Sequence, residues 1–240
     1  MLFKKFRYIP GFLSLFIFFY LSCSRAPEKP QVLKSIIPVF EVFGYARCPN
    51  CPIVEDVVDS LKKVYGDSVV VLEYHLRLLG DTLSPVNIDE RRTLYGLPMQ
   101  APISVVHGEE VIMGSQDVTF EQFNNYYIAI RRGRADSLNL RVEEISIGID
   151  SVVFQITCDT AQIYGTSKLY IFSTQDSIYF AQPGAPDSLF NNVVRYYASY
   201  APQFPILIKV PIWVRGGGNF VILVQDTVTK DIMGVYQRRF

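Results

Sequence analysis

The segment CPNC at positions 48–51 joins two stretches of opposite pattern, and this junction constrains the fold more than any other feature of the chain. Before it, IIPVFEVF at 36–43 is a short apolar run typical of a buried strand. After it, apolar residues recur at helical spacing from Pro52 to Gly66, with acidic and lysine side chains between them. The pattern predicts a strand that turns directly into an amphipathic helix, with both cysteines at the turn.

The next segments continue the alternation of strands and helices. SVVVLEYHL at 68–76 predicts a buried strand, and VNIDERRTLYG at 86–96 predicts a short helix. APISVV at 101–106 and EVIMG at 110–114 predict a hairpin, and residues 119–133 predict a last helix. A strand-helix-strand crossover makes the first two strands parallel, and the hairpin then completes a mixed sheet.

From about Asp136 to the C-terminus the pattern changes to short strand-like runs. They are separated by Gly, Pro, Asp and Asn, and apolar residues alternate along 206–215. We interpret this half as an immunoglobulin-like β-sandwich. The predicted domains are therefore 36–135 and 136–240.

The N-terminus has the features of an export signal. Basic residues precede an apolar run that is too short to span a bilayer, and small residues follow it, so residues 1–22 predict a signal peptide. The sequence YLSC that ends at Cys23 resembles a bacterial lipobox. This resemblance implies that Cys23 becomes the first mature residue and carries lipid, with 23–35 as a tether. An ordinary signal peptide with a coincidental cysteine is the alternative.

Residues 36 to about 133 resemble the thioredoxin family. The likeness rests on the element order, on the CxxC at the first strand-to-helix turn, and on YGLPMQAPISVV, which looks like the loop in which a cis-proline faces the disulfide. The resemblance implies that Pro102, preceded by Ala101, is this proline. The predicted fold is an α/β thioredoxin-like domain, a mixed sheet flanked by helices, followed by an all-β immunoglobulin-like sandwich.

The whole layout also resembles a group of bacterial outer-membrane lipoproteins. The likeness consists of the lipidated start, the CxNCP motif, NNVVR, and the closing stretch VILVQDTVTKDIMGVYQ. It implies a location in the bacterial cell envelope, lipid-anchored to the outer membrane or another periplasm-facing membrane. This resemblance to outer-membrane lipoproteins indicates the domain architecture more than the activity.

The cysteine pair has the features needed for disulfide exchange. Cys48 is predicted at a helix N-terminus, where free N–H groups and the helix dipole stabilise a thiolate, and Arg47 adds a positive neighbour. Pro49 and Asn50 separate the cysteines, and the proline loses no hydrogen bond in the first turn. Cys51, one turn further and more buried, would resolve the mixed disulfide.

Other residues are weaker candidates. His75 ends the second strand near the cysteine turn, so it is either an acid-base helper or a solvated strand-end residue. Val42 occupies the position where thioredoxin has a buried acid, and Glu41 beside it points to the opposite face. His107 in the hairpin turn is expected at the surface, and Cys158 is expected to be a buried core thiol. The candidate zinc ligands His75, His107 and Cys158 are too scattered in the sequence to form a zinc site, so neither a metal nor a cofactor is predicted.

Two hypotheses of function follow. Lys plus Arg equals Asp plus Glu, which gives no indication of a nucleic-acid partner. The first hypothesis is a membrane-anchored, exported thiol-disulfide oxidoreductase that acts on protein thiols through Cys48 and Cys51. The second is a surface lipoprotein that binds a protein or glycan through the β-sandwich, in which the cysteines form a permanent structural bond.

Overall fold

A computed structural model describes residues 34–158, 163, 165–211, 213 and 218–239. The predicted signal peptide and Cys23 lie outside the described residues. Within the described ranges, no helix combines the length and the apolar character needed to cross a bilayer.

The N-terminal half has the predicted element order. Strand β1 pairs in parallel with β2 and antiparallel with β3, and β3 and β4 form the hairpin. These pairings confirm the predicted mixed sheet. The elements are β1 (Val39–Gly44), α1 (Cys51–Tyr65), β2 (Val70–His75), α2 (Asp89–Leu94), β3 (Ile103–Val106), β4 (Glu110–Met113) and α3 (Phe120–Gly133).

The C-terminal half consists of strands. They are β5 (Arg141–Ile147), β6 (Ser151–Thr157), β7 (Ser167–Gln175), β8 (Ile178–Tyr179), β9 (Leu189–Phe190), β10 (Val193–Tyr200), β11 (Ile206–Pro211), β12 (Asn219–Asp226) and β13 (Ile232–Arg239). Among the described residues, eight strands form a large sheet in the order β13-β12-β7-β10-β2-β1-β3-β4. A small sheet has the order β11-β6-β5, and β8 pairs with β9.

The predicted fold class is wrong, because the large sheet runs through both halves of the chain. Val193 of β10 lies parallel to Glu73 of β2, and the Glu73 N–H donates to the carbonyl of Asn192 at 3.0 Å. The side of β2 opposite β1 would otherwise present unpaired backbone groups in a buried strand. The chain is therefore not a helix-flanked thioredoxin-like domain followed by a separate immunoglobulin-like sandwich.

The two larger hydrophobic cores of the described residues lie on opposite faces of this large sheet. Along β12, Val221 and Leu223 belong to the core shared with the N-terminal half, whereas Phe220, Ile222 and Val224 face the small sheet. The strand is buried on both faces, as its eight buried residues show. A sandwich of two sheets does exist, but its larger sheet also carries the N-terminal half.

A buried ion pair crosses the shared core. Arg91 of α2 donates to both carboxylate oxygens of Glu41 on β1, at 2.7 and 3.1 Å, and to Gln225 of β12 at 2.8 Å. Its guanidinium also lies 4.5 Å from the ring centroid of Tyr170 on β7. Arg91 therefore connects side chains from both halves of the chain.

Candidate functional site

The two cysteines of the CPNC segment form a disulfide at the predicted junction of strand and helix. The Cα atoms of Cys48 and Cys51 are 5.4 Å apart. Helix α1 begins at Cys51, with Asn50 as its N-cap. Before it, the Cys48 N–H donates to the carbonyl of Tyr45 at 2.9 Å, which fixes the turn that leaves β1.

Neither sulfur lies open to solvent in the oxidised form. Cys48 and Cys51 are each 1% exposed, so Cys51 is not the more buried of the two. The neighbouring Arg47, Pro49 and Asn50 are exposed. A partner molecule can therefore contact the surface of this turn, but it reaches the sulfurs only after the turn changes conformation.

Pro102 lies at the same end of the large sheet as the disulfide. The peptide bond between Ala101 and Pro102 is cis. Phe43 of β1 pairs with Ile103 of β3, so one step further Gly44 comes next to Pro102. A Cβ atom on Gly44 would lie 3.3 Å from the Cys51 Sγ, which shows how closely this strand end approaches the sulfur.

Glu55 is the acidic side chain next to Cys51. Its Oε1 would lie 3.7 Å from the same Cβ position on Gly44. Burial, followed by the negative charges of Asp187 and Asp59, raises the pKa of Glu55 to about 7. In the helical pattern of the sequence, Glu55 is one of the acidic side chains of the polar face. Its four-residue spacing from Cys51, which places both on one helix face, was the signal that could have identified it.

A second carboxyl group, that of Glu73, is buried and interacts with Glu55. Glu73 of β2 is 3% exposed, and its Oε1 makes no hydrogen bond within the described part of the chain. Burial raises the pKa of Glu73 well above its usual range, and the charge of Glu55 is the next cause. No sequence pattern singles out Glu73, because it stands inside an otherwise apolar strand.

The C-terminal half contributes a wall to this site. The β8–β9 hairpin, residues 176–192, reaches the cysteine turn, where a Cβ atom on Gly184 would lie 3.4 Å from Arg47 Nη2. Asn191 and Asn192 each donate from Nδ2 to the carboxylate of Asp59 on α1, at 2.7 Å. Disulfide, acidic side chains and hairpin therefore form one surface region.

His75 is buried rather than solvated. Its Nδ1 lies 2.7 Å from Asp81 Oδ2, and Asp81 also accepts hydrogen bonds from the N–H groups of Ala46 and Leu83. Burial opposes ionisation of Asp81, but these bonds outweigh it and lower the pKa of Asp81. The pair thus fixes the backbone at Ala46, two residues before Cys48.

His107 differs from its expected place at the surface. It is 1% exposed, and neither ring nitrogen has a hydrogen-bond partner among the described residues. Burial, followed by the charge of Arg134, lowers its pKa to about 3, so the ring is neutral at physiological pH. Cys158 is half-buried beside the second core, rather than fully buried as expected.

Comparison with known proteins gives a likeness in fold. No family model and no curated protein matches the chain. A crystal structure of a protein from Agrobacterium tumefaciens, determined by a structural genomics consortium, matches with a TM-score of 0.58 at 18% identity. The match covers 85% of this chain and 95% of the other, so the likeness includes both halves. At this identity it concerns the fold alone.

The burial of Glu55 predicts a pH-dependent stability. Because its pKa rises from 4.5 to about 7 on folding, the folded chain binds more protons between these values. The unfolding free energy should therefore fall as pH rises from about 4.5 to 7, on the order of 2 kcal/mol because Glu55 is partly exposed. Glu55→Gln should remove most of this fall in urea unfolding at pH 5 and pH 8. An equal slope in Glu55→Gln and in the control Glu121→Gln, which changes an exposed side chain of α3, would contradict the assignment.

Proposed function

We propose that this chain is a lipid-anchored protein of the bacterial cell envelope that exchanges disulfides with exported protein thiols through Cys48 and Cys51. The observation that supports it best is the Cys48–Cys51 bond at the start of α1. Pro102, which precedes β3, lies at the same end of the large sheet as this disulfide. This disulfide joins two residues that are three positions apart, so it does not connect distant segments of the chain. A bond that closes so short a loop stabilises the fold little, and a structural role therefore explains it poorly.

The two sulfurs have different roles in this proposal. Cys48 precedes α1, so the free N–H groups of the first turn stabilise its thiolate, and the exposed Arg47 adds positive charge. Cys51 lies within the helix and attacks Cys48 in the mixed disulfide. Pro102 and Ala101 border the place where the partner's backbone lies.

The test is replacement of Cys48 in an exchange assay. Cys48→Ser should abolish turnover between a reduced protein and an oxidised small thiol, because no nucleophile is left for the first attack. Cys158→Ser is the matched control, since it removes the half-buried cysteine beside the second core and should leave the rate unchanged. Full activity in Cys48→Ser would contradict the proposal.

The reduction potential of the same pair gives a second criterion. Exchange proteins lie at about −120 to −270 mV, and structural disulfides lie below about −300 mV. We expect a value in the first range, measured by equilibration with glutathione. A value in the second range would favour a structural bond.

A groove supports the alternative, a surface lipoprotein that binds a protein or glycan. The groove has a volume of about 710 Å³ between α2 and the strands β7 and β10. Tyr170 and Tyr197 line it together with polar side chains, among them Asn87, Glu90 and Ser199. Both rings are largely buried, so the polar side chains are the groups that a sugar or a peptide would contact. Glycan binding that survives Cys48→Ser, combined with a potential below −300 mV, would favour this candidate.

A further inference from the structure

Two carboxyl groups near Cys51 have no cationic partner in the part of the chain that the structure describes. Glu73 is 3% exposed and Glu55 is half-buried, and neither forms an ion pair with a lysine or arginine among the described residues. Buried carboxyl groups without such partners keep a proton instead of a charge. A protonated carboxyl next to a disulfide sulfur is a proton donor for the thiolate that forms when the disulfide opens.

We infer that Glu55 and Glu73 form a proton-holding pair, which supplies a proton to Cys51 when the disulfide opens and takes it back when the disulfide closes. This inference rests on the proposed exchange function and names the groups that complete it. Glu55 is the member of the pair that lies near the Cys51 sulfur and exchanges the proton with it. Glu73 acts on Cys51 only through Glu55 and is therefore a positioning residue.

The backbone of β1 places Glu55 and Cys51 side by side. Both side chains flank Gly44, and each approaches within 4 Å of the point where a Cβ atom would stand. One helical turn separates them on α1, so the helix itself fixes their relative position. Proton transfer between them needs only direct contact or one intervening water.

Glu73 is the member of the pair that keeps its proton more firmly. It is 3% exposed, its Oε1 has no hydrogen-bond partner among the described residues, and the charge of Glu55 raises its pKa more than any other charge does. Two interacting carboxyl groups in a poorly solvated site resist double ionisation, so the pair retains at least one proton near neutral pH. The pair titrates as a unit.

The β8–β9 hairpin of the C-terminal half supplies a further charge that acts on Glu55. Asp187 in this hairpin is the charge with the largest effect on Glu55. Asn191 and Asn192 hold Asp59 in place through their amide groups. The charges that raise the pKa of Glu55 come from α1, from the hairpin and from the segment after β2. They are those of Asp56, Asp59, Asp187 and Asp81, and Asp81 is itself paired with His75.

The chemical steps balance in both directions. When a partner thiolate attacks Cys48, the S–S bond breaks, its electron pair passes to Cys51, and Cys51 takes the proton of Glu55. A second partner thiolate then releases Cys48, so the partner is oxidised to a disulfide. In reverse, Glu55 removes the proton of Cys51, whose thiolate attacks the mixed disulfide at Cys48 and releases the partner as a thiolate.

The experiment isolates the step that Cys51 performs. The reduced full-length protein is mixed with one equivalent of the chromogenic disulfide 5,5′-dithiobis(2-nitrobenzoate). A first thiolate is released when Cys48 attacks, and a second when Cys51 resolves the mixed disulfide, and both are followed by absorbance between pH 5 and 9. Cys158→Ser serves as the background for every variant, so that no other cysteine within the described ranges reacts.

Glu55→Gln should slow the second release at pH 7 about tenfold or more, and leave the first release unchanged. At pH 9, where solvent deprotonates Cys51, the difference should shrink to less than twofold. Glu121→Gln, at an exposed position of α3 whose charge does not act on Glu55, should match the parent protein. A second release by Glu55→Gln at the parent rate across the pH range would overturn the inference.

Two further variants guard against a folding defect. Glu73→Gln keeps the shape of the side chain and should flatten the pH profile of the second release. Asp187→Asn changes an exposed side chain and should move the midpoint of that profile to lower pH, because it removes a charge that raises the pKa of Glu55. An unchanged pH profile of the second release in both variants would also overturn the inference. Absence of the first release in the parent protein would instead show that the exchange function itself is wrong, and the inference would fall with it.

Discussion

Replacing Arg91 with methionine should lower the unfolding free energy by about 3–5 kcal/mol. The methionine fills much of the same space, but it leaves the Glu41 carboxylate buried without its cation. Both side chains are fully buried, so water does not reach the carboxylate in compensation. The hydroxyl groups of Tyr74 and Tyr95 still donate to Glu41, yet they carry no charge.

The next residue along the chain provides the control. Arg92 pairs with Asp89, whose side chain is 50% exposed, so Arg92→Met should cost less than about 1 kcal/mol. Urea unfolding of both variants, followed by circular dichroism, measures the difference. In the double variant Glu41→Gln/Arg91→Met the neutral amide replaces the stranded charge, and part of the stability should return. Equal losses in Arg91→Met and Arg92→Met would contradict the role of the buried pair.

Replacing Gly108 with alanine should lower the unfolding free energy by about 2–4 kcal/mol. The residue has φ +80°, which a Cβ atom disfavours, and that Cβ would lie 2.2 Å from the backbone oxygen of Lys230. Because the obstacle is backbone in the turn between β12 and β13, no side-chain rotation removes it. The β3–β4 turn would have to move away from the C-terminal half.

Gly114 separates the two causes of this loss. It has the same φ of +80°, but a Cβ atom there would have nothing within 4 Å. Gly114→Ala should therefore show the backbone strain alone, about 1–2 kcal/mol. Thermal unfolding of both variants tests the close approach, and it is refuted if Gly108→Ala loses no more stability than Gly114→Ala.

Local patterns in the sequence predicted the elements around the disulfide well. The strand before Cys48, the helix after it and the hairpin beyond Pro102 follow from periodicity and turn residues, which act over a few neighbours. The pairing of β2 with β10 could not be predicted in this way. Periodicity shows that a strand is buried, but it does not show which strand lies along its free edge.

The site illustrates the same limit. The spacing of Cys51 and Glu55 on one helix is local, so it could have suggested the acid beside the sulfur. Glu73, by contrast, acquires its character from burial in a strand that pairs with the distant segment at Asn192 and Val193, and its sequence neighbours only indicate an apolar strand. His107 became buried because the β12–β13 turn packs against its own turn, which is again a contact between distant segments.

The pairing of β2 with β10 also sets an order of events during synthesis. Until Val193 has left the ribosome, β2 has no neighbour on one side, although the strand that carries Glu73 and leads to His75 is already complete. An apolar strand with an open edge attracts other strands, so the nascent chain passes through a stage at which it is prone to association. The acidic side chains behind Cys51 reach their final surroundings only after this stage, because the β8–β9 hairpin enters the fold directly before β10.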